Sequence, residues 1–293
     1  MSYAAVVNRN SGYVMAKSPA TVRAMLENAT HGELGSLRMV AGAEVEAALK
    51  EAFDSRPSAV IVLGGDGTAR SAAAHARRSE TPFIPLPGGT MNLLPRRLYG
   101  DGDPAECLSK ALKGSFRRLD AGCAGEHLFF LQGFFGVAPN IARAREAVRE
   151  LTSLDDLPGV FGQARKALKS LSGHGLTYHL GKDEGEHKAE TLVVSIGSLD
   201  DVMSPSPREL EHSFEVIGVD VHNLGEIARL GFNALMQHWR DDPGVEVARA
   251  TELSLHLCEH DPCAVLDGEP VELPVDVTVR YLRDAIPVVV PAG

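Results

Sequence analysis

The first 119 residues alternate short, continuous apolar runs with segments of helical periodicity, and this alternation constrains the fold more than any other feature of the sequence. Strands are predicted at residues 4–7, 36–40, 58–65 and 82–87, and helices at residues 19–29, 42–54 and 69–78. A strand followed by a helix, repeated, produces a parallel sheet with helices on both faces. Strands that are apolar throughout fit burial on both sides of such a sheet. The sequence therefore predicts an α/β N-terminal domain with a parallel sheet.

Beyond residue 119 the pattern changes to short strands separated by Gly, Pro, Asp and Asn turns, which is typical of an antiparallel sandwich or barrel. Residues 139–172 interrupt this pattern with two predicted helices, and residues 224–240 form a third helical segment. We therefore expect a C-terminal β-sandwich-like domain with inserted helices. The predicted domains are residues 1–119 and 120–283, and the apolar end, residues 284–293, is expected to return to the first domain.

Charge and composition narrow the function classes. The chain of 293 residues carries a formal net charge of −10, which opposes a general affinity for nucleic acid. No apolar run reaches the roughly 18 residues of a membrane span, and the N-terminus lacks the basic and apolar regions of a signal peptide. We therefore expect a cytoplasmic protein whose four cysteines, which form no CxxC pair, are free thiols.

One cluster, SLHLCEHDPC, offers possible zinc ligands. His256, Cys258 and His260 alternate, so on a strand they would share one face, and Cys263 follows shortly after. Because the stretch also fits the strand pattern around it, we expect an ordinary strand here rather than a metal site.

The stretch IVLGGDGTARSAAAHA, residues 61–76, is the first candidate binding site. A strand that ends in GGDGT and leads into a helix presents backbone N–H groups at the carboxyl edge of the sheet, where α/β folds bind ligands. Its glycines permit positive φ angles and close approach, and Thr68 can cap the helix or donate to a phosphoryl oxygen. Asp66 would repel a phosphate unless a cation such as Mg²⁺ lies between them. The loop predicts a nucleotide with a divalent cation, although a tight structural turn also needs glycine.

The sequence of this loop matches neither of two common nucleotide-binding motifs. It is neither the GxGxxG dinucleotide fingerprint nor the GxxxxGKS phosphate loop, which disfavours hydride transfer. Two further polar loops are expected at the same sheet edge, one in PLPGGTMNLLPRRLYG and one in VVNRNSG. Their candidate residues are Gly89, Thr90, Asn92 and Arg96, the last as a phosphate partner, and Asn8 and Ser11.

AVLDGEP, residues 264–270, places Asp267 and Glu269 on either side of a glycine. Asp-Gly is common in ordinary hairpins. Two carboxylates this close in the chain can also serve as general base and metal partner when an alcohol is phosphorylated. If the site lies between two domains, the distance in sequence from the glycine loops is no obstacle.

Taken together and in this order, NRNSG, GGDGT, GGTMN and LDGE resemble the diacylglycerol kinase catalytic-domain family, which includes sphingosine kinases and bacterial soluble lipid kinases. The resemblance extends over nearly the whole chain, from Val6 to Pro291. It implies a fold of the NAD kinase/diacylglycerol kinase type, with a nucleotide-binding N-terminal domain and a β-rich lipid-substrate domain. It also implies ATP and Mg²⁺ bound in the cleft between them.

The same resemblance assigns roles to the candidate residues. The implied nucleotide site consists of Asn8, Ser11, Gly64, Gly65, Asp66, Gly67, Thr68, Gly89, Thr90, Asn92 and Arg96. Asp66 would lie near the metal. Asp267 would be the base that takes the proton from the lipid hydroxyl, with Glu269 beside it in the same network.

The sequence departs from the family at three places. Members often carry Asn-Glu shortly after GGDGT, where this chain has Arg70-Ser71, and bacterial members often carry Asp where this chain has Leu93. Part of the acidic network is therefore missing. The extra structural metal site of some bacterial members has no clear ligands in SIGSLDDVMS, although Asp200 and Asp201 are nearby acids.

The sequence therefore predicts an ATP-dependent lipid kinase that phosphorylates a lipid hydroxyl, with diacylglycerol or a related lipid as the first candidate acceptor. One alternative is an NAD kinase, which shares GGDGT but not GGTMN or LDGEP. Another is a non-catalytic lipid- or nucleotide-binding module, suggested by the missing acids. The lipid would be reached by transient peripheral contact at the inner face of the membrane, with FFLQGFFGV and the 139–172 helices as candidate contact surfaces. The lipid class and the oligomeric state stay open.

Overall fold

The computed structural model of the chain describes residues 2–136, 175–181, 185–198, 212–220, 239–257 and 263–292. The two helices predicted within 139–172 lie outside these residues. So do Asp200, Asp201, Cys258 and His260. Of the helical segment predicted at 224–240, only the end is described, where Trp239–Asp241 forms a 3-10 turn.

The N-terminal part folds as predicted, with strands and helices in alternation. Its strands are β1 (Tyr3–Asn8), β2 (Leu34–Val40), β3 (Ala59–Gly64) and β4 (Phe83–Pro87). Its helices are α1 (Gly12–Met15), α2 (Pro19–Ala29), α3 (Val45–Asp54, after a 3-10 turn at Gly42–Glu44), α4 (Asp66–Ser79), α5 (Leu93–Tyr99) and α6 (Pro104–Leu112). The strands pair in parallel in the order β2-β1-β3-β4, which confirms the parallel α/β domain.

The sheet is buried on both faces. Every residue of β3 is buried, and α3 and α4 cover one face of the sheet. α2 and α6 cover the other face, where Leu26 and Leu108 belong to the same buried cluster as Ile61 and Leu63. Each such aliphatic side chain stabilises the folded state by about 1.5–3 kcal/mol. This rigid layer holds the loops at the carboxyl ends of β1, β3 and β4 in fixed positions.

One helix begins earlier than the sequence predicted. The expected start of α4 was Ala69, but the helix begins at Asp66, with the extended Gly65 as its N-cap residue. Asp66, Gly67 and Thr68 therefore form the first helical turn and not a loop. An acidic residue in a first turn is favourable because it faces the positive end of the helix dipole.

The described residues of the C-terminal part lie mainly in antiparallel strands. They are β5 (Ser115–Ala124), β6 (His127–Phe129), β7 (Gln132–Gly136), β8 (Leu176–Leu180), β9 (His187–Ala189), β10 (Thr191–Ile196), β11 (Phe214–Val219), β12 (Val245–Ala250), β13 (Glu252–His256), β14 (Cys263–Leu266), β15 (Glu269–Glu272) and β16 (Asp276–Val290). One sheet has the order β12-β11-β10-β7-β14-β15, and all of its pairs are antiparallel. The strands β13, β8 and β9 instead extend the first sheet beyond β16, and β5 pairs with β16 and β6.

The two sheets share one apolar core, which confirms the predicted sandwich-like arrangement. Phe129 stacks on Phe214 with ring centroids 5.8 Å apart, and both rings are buried with Phe135. Phe130 is buried in the core of the first domain. Of the stretch FFLQGFFGV, these three phenylalanines are thus core residues, not an exposed surface for lipid.

The strand β16 connects the two parts of the molecule. Its first half pairs with β13, and its last residues lie between β4 and β5, where Val288 is the parallel partner of Phe83. The precise domain limits given above stay a prediction. Among the described residues, no helix is long and apolar enough to cross a bilayer.

Candidate active site between the glycine loops and the β14–β15 hairpin

Three loops at the carboxyl ends of β1, β3 and β4 are joined by direct hydrogen bonds. The N–H of Gly88 donates to the carbonyl of Gly64 at 2.8 Å, and the N–H of Tyr13 donates to the carbonyl of Gly88 at 3.0 Å. The side-chain amide of Asn8 donates to the hydroxyl of Thr68 at 3.0 Å. The predicted convergence of NRNSG, GGDGT and GGTMN at one sheet edge is therefore present.

The glycines of these loops are required for close approach and not for unusual backbone angles. A Cβ atom on Gly88 would lie 2.9 Å from backbone atoms of Gly64, and one on Gly89 would lie 2.8 Å from the Cα of Gly65. A Cβ on Gly64 would lie 2.6 Å from the side chain of Thr68. None of these glycines has a positive φ, so the expectation of positive φ in GGDGT is wrong. Thr68 likewise does not cap α4, because it is the third residue of that helix, and its hydroxyl accepts from Asn8.

A cleft of about 420 Å³ opens above these loops. Its lining consists of Asn8, Asn10, Ser11, Gly12, Gly65, Asp66, Gly67, Thr68, Gly89, Thr90, Met91 and Glu269. Most of the residues proposed from the sequence are in this set. Four of the proposed residues do not line the cleft: Gly64, Asn92, Arg96 and Asp267.

Asp66 lines the cleft but also caps the next helix. Its two carboxylate oxygens accept the N–H groups of Leu93, at 2.6 Å, and Asn92, at 2.9 Å, at the start of α5. Burial raises the pKa of this carboxyl, while these N–H donors and the charge of Arg70 oppose the rise. The start of α5 therefore gives Asp66 two hydrogen-bond donors, a contact that the sequence could not show.

Asn92 closes the GGTMN loop. It adopts a left-handed conformation with φ of 50°, and its side chain forms two hydrogen bonds with Gly89. The side-chain oxygen accepts from the N–H of Gly89 at 2.7 Å, and the side-chain amide donates to its carbonyl at 2.8 Å. Asn92 thus holds the GGTMN loop in its conformation and does not itself line the cleft.

The arginine that reaches the interior is Arg97 and not Arg96. Arg96 is 44% exposed and pairs with Asp101 at 2.8 Å. Arg97 is directed the other way and donates to the carbonyl of Phe130. Burial lowers the pKa of Arg97, and the nearby charge of Asp267 opposes that shift. The Arg96-Arg97 pair signalled a basic residue here, but the sequence could not show which of the two faces inward.

Asp267 forms a tight hairpin turn with Gly268 between β14 and β15. Both residues have positive φ, 51° and 82°, as a two-residue type I′ turn requires. The Asp267 side chain is only 4% exposed, and its carboxylate accepts the N–H groups of Phe130, Leu131 and Gln132 at 2.6, 2.9 and 3.0 Å. Burial raises its pKa, and the three N–H donors and the charge of Arg70 act against burial.

Glu269 is the hairpin carboxylate that faces the cleft. A Cβ placed on Gly67, in the first turn of α4, would lie 3.4 Å from the Glu269 carboxylate. The hairpin therefore brings this carboxylate directly over the GGDGT segment, as a site formed by both parts of the chain requires.

Arg70 is a second functional candidate that the sequence indicated only as a departure from the family. It lies one turn after Asp66 on α4 and donates through Nη2 to the carbonyl of Leu266 at 2.8 Å. Leu93, the other departure, is buried, and a Cβ on Gly268 would lie 3.9 Å from it. Arg70 and Leu93 thus both lie against the Asp267 hairpin.

The stretches around Asp200–Asp201 and SLHLCEHDPC, considered above for metal binding, have few described residues. Within the described ranges, no group of three or more His, Cys, Asp or Glu side chains has a geometry suited to a metal ion. His256 pairs across the sheet with Asp276 at 2.7 Å. Cys107 and Cys123 are free thiols.

Comparison with known proteins gives a family match for the part of the chain that carries the glycine loops. Residues 2–124 match the model of the diacylglycerol kinase catalytic domain, and this match confirms the resemblance on the part of the chain that forms the parallel sheet.

Solved structures extend the likeness to the rest of the fold. Two structures of a candidate diacylglycerol kinase from Bacillus anthracis str. Sterne are similar to this chain, with TM-scores of 0.71 and 0.70 at 16% and 17% identity. Each match covers 99% of this chain, and 95% and 97% of the respective relatives. A diacylglycerol kinase structure from the same organism has a TM-score of 0.67 at 16% identity, covering 99% of this chain and 96% of the other. These matches show a shared fold of the diacylglycerol kinase type.

Proposed function

We propose that this protein is an ATP-dependent lipid kinase, which transfers the γ-phosphoryl group of ATP to a lipid hydroxyl. The observation that carries the proposal is the cleft in which both glycine loops of the matched catalytic domain meet Glu269 of the distant hairpin. Diacylglycerol is the first candidate acceptor, since the solved structures of similar fold are described as diacylglycerol kinases. Contact with the membrane surface would be transient and peripheral.

The size of the cleft and its polar groups suit a nucleoside triphosphate. Its volume of about 420 Å³ lies within the usual range for small-molecule sites. The side chains of Asn8 and Thr68 supply polar groups, and the N-terminus of the 14-residue helix α4 favours a phosphate by its dipole. The glycines of both loops allow phosphate oxygens to approach the backbone closely.

The cleft also suits Mg²⁺ that arrives with the nucleotide. Mg²⁺ is commonly held by one or two carboxylates together with substrate phosphates, and not by a complete protein cage. Asp66, whose carboxylate lines the cleft, would hold it together with the phosphate oxygens. The ion supplies neutralisation of the phosphate charge during transfer.

We assign proton removal to Glu269 and the support of the hairpin to Asp267. As the lipid hydroxyl oxygen bonds to the γ-phosphorus, the bond to the bridging oxygen breaks, ADP leaves with that electron pair, and the hydroxyl proton passes to a carboxylate. The sequence suggested Asp267 as this base. Glu269 faces the cleft, whereas both oxygens of Asp267 already accept backbone N–H groups.

The test is Mg²⁺-dependent release of ADP from ATP in mixed micelles. The acceptors would be diacylglycerol, monoacylglycerol, sphingosine, ceramide and phosphatidylglycerol, with NAD included. Glu269→Gln is compared with Glu272→Gln, a matched control because Glu272 lies on the same strand and is exposed. We expect Glu269→Gln to reduce kcat by about 10²-fold or more and Glu272→Gln to leave it unchanged.

The outcomes separate the competing functions. Turnover of one lipid that requires Glu269 supports the proposal and names the substrate class. Turnover of NAD alone would establish an NAD kinase instead. Binding of ATP without turnover of any acceptor would contradict the kinase proposal and favour a binding module.

A further inference from the structure

Two arginines connect the glycine-loop helices to the main chain around Asp267. Arg70 lies on α4, which follows GGDGT, and Arg97 lies on α5, which follows GGTMN. Each is about one helical turn from its loop, and each donates to a backbone carbonyl far away in sequence. The two helices thus make the same kind of contact with the C-terminal part.

The two acceptor carbonyls belong to residues joined to Asp267, one through the chain and the other through a hydrogen bond. Arg70 donates to the carbonyl of Leu266, the residue directly before Asp267. Arg97 donates to the carbonyl of Phe130, whose own N–H group is bound by the Asp267 carboxylate at 2.6 Å. The backbone N–H of Asp267 in turn donates to the carbonyl of Gln132 at 2.9 Å, which joins the hairpin to the start of β7.

The charges of Asp267 and of the two arginines agree with this arrangement of hydrogen bonds. A buried carboxylate needs hydrogen bonds and a nearby cation, since an unpaired charge in the interior is costly. Asp267 has three N–H donors, and its charge interacts with Arg70 and with Arg97. The Arg70 Nε atom is also buried and has no hydrogen-bond partner among the described residues. Arg70 is thus held in place by one bond to Leu266 and by the surrounding charges.

We propose that Arg70 and Arg97 are positioning residues that clamp the β14–β15 hairpin to the two glycine-loop helices, with Asp267 as their shared buried counter-ion. The clamp fixes Glu269 over the GGDGT segment. It acts through the backbone and touches no substrate. The kinetic part of this inference rests on the proposed function, but the structural part does not.

The first test is hydrogen exchange of the nucleotide-free, full-length protein. Arg70→Met and Arg97→Met are compared with Arg78→Met, a control on α4 whose side chain is exposed. We expect the amides of Phe130, Leu131 and Gln132 to exchange about tenfold faster or more in the first two variants, because the clamp protects them. In Arg78→Met these amides should exchange as in the wild type.

Lysine variants separate a clamp from simple packing. Lysine keeps the charge and one donor, so Arg70→Lys and Arg97→Lys should restore most of the protection that methionine loses. If a methionine variant also loses protection throughout β1 and β3, it has unfolded globally, and the lysine variants alone decide. Unchanged exchange at Phe130–Gln132 in both methionine variants, or no recovery with lysine, would overturn the clamp.

The second test uses steady-state kinetics. With a clamp, Arg70→Met lowers kcat about tenfold while the KM for ATP changes by less than about twofold, because Glu269 loses its position and the nucleotide loops do not. If instead the KM for ATP rises by as large a factor as the fall expected in kcat, and kcat itself is unchanged, the positioning role is contradicted. If the wild-type protein phosphorylates no lipid, the proposed function fails, and the exchange experiment still decides the clamp.

Discussion

At the scale of single residues, the carboxylates of the site differ in how their oxygens are used. Asp267 binds three backbone N–H groups, Asp66 binds two at the start of α5, and Glu269 points into the cleft. A single motif, LDGE, therefore combines a structural carboxylate with a cleft-facing one. Stability and activity should respond to them separately.

We expect Asp267→Ala to lower the free energy of unfolding by about 3 kcal/mol, because it leaves buried N–H donors without an acceptor. Asp267→Asn should cost less, since one oxygen remains, and Glu269→Gln should change stability by less than about 0.5 kcal/mol. Urea unfolding of the three variants measures this. Equal stability of Asp267→Ala and the wild type would contradict the role of Asp267 as a buried anchor.

Asn92 combines a left-handed backbone with a side chain that closes a loop. Asn92→Gly keeps the backbone conformation and removes the side-chain bonds, whereas Asn92→Ala adds strain of roughly 1 kcal/mol. Both should weaken ATP binding, and Asn92→Ala should also lower the melting temperature more. Calorimetric titration and thermal unfolding check the two effects, and an unaltered ATP affinity in Asn92→Gly would show that the closure is not needed.

At the scale of elements, the site depends on how closely the ends of β3 and β4 approach. Gly88 contacts the backbone of Gly64, so a methyl group there must push the two loops apart. Gly88→Ala should destabilise the protein by about 2 kcal/mol and reduce nucleotide affinity. Gly42→Ala is a suitable control, since its nearest neighbour would be 3.6 Å away. Thermal unfolding with and without ATP distinguishes them, and similar behaviour of the two variants would disprove tight loop contact.

Much of this element-level arrangement follows from local sequence signals. The strands and helices of the first domain, the hairpin at Asp267-Gly268 and the three polar loops all follow from periodicity and turn residues near each other in the chain. The capping of α5 by Asp66 and the contacts of Arg70 and Arg97 do not, since they join residues from 26 to 196 positions apart. No local pattern specifies such pairs. The early start of α4 was missed because glycine and aspartate ordinarily favour turns.

At the scale of the whole molecule, Asp120 on β5 is bonded to the long strand β16. Tyr281 donates its hydroxyl to Asp120 at 2.5 Å, the N–H of Asp284 donates at 2.7 Å, and His212 lies 3.3 Å away. Burial alone would raise the pKa of Asp120, but these partners outweigh burial and hold the pKa below its ordinary value. Ionised Asp120 therefore stabilises the fold above its ordinary pKa, and this stability is lost as the pH falls through the lowered value.

Tyr281→Phe should remove part of that stability while keeping the aromatic ring against Phe214. We expect the variant to lose stability on acidification at a higher pH than the wild type, and Asp120→Asn to show a weaker acid dependence than either. Urea unfolding between about pH 3 and pH 7 gives the comparison. Parallel pH curves for all three proteins would contradict a coupling of Asp120 to Tyr281.

The insertion of β16 between β4 and β5 has a consequence for how the chain acquires its shape during synthesis. The parallel sheet cannot complete its pairing beyond β4 until the last strand has left the ribosome, although every other strand of that domain was made far earlier. Until then β4 presents an open edge, which is a hazard for intermolecular pairing. A fragment restricted to residues 2–124, the part matched by the catalytic-domain model, would lack β16 and would retain that open edge.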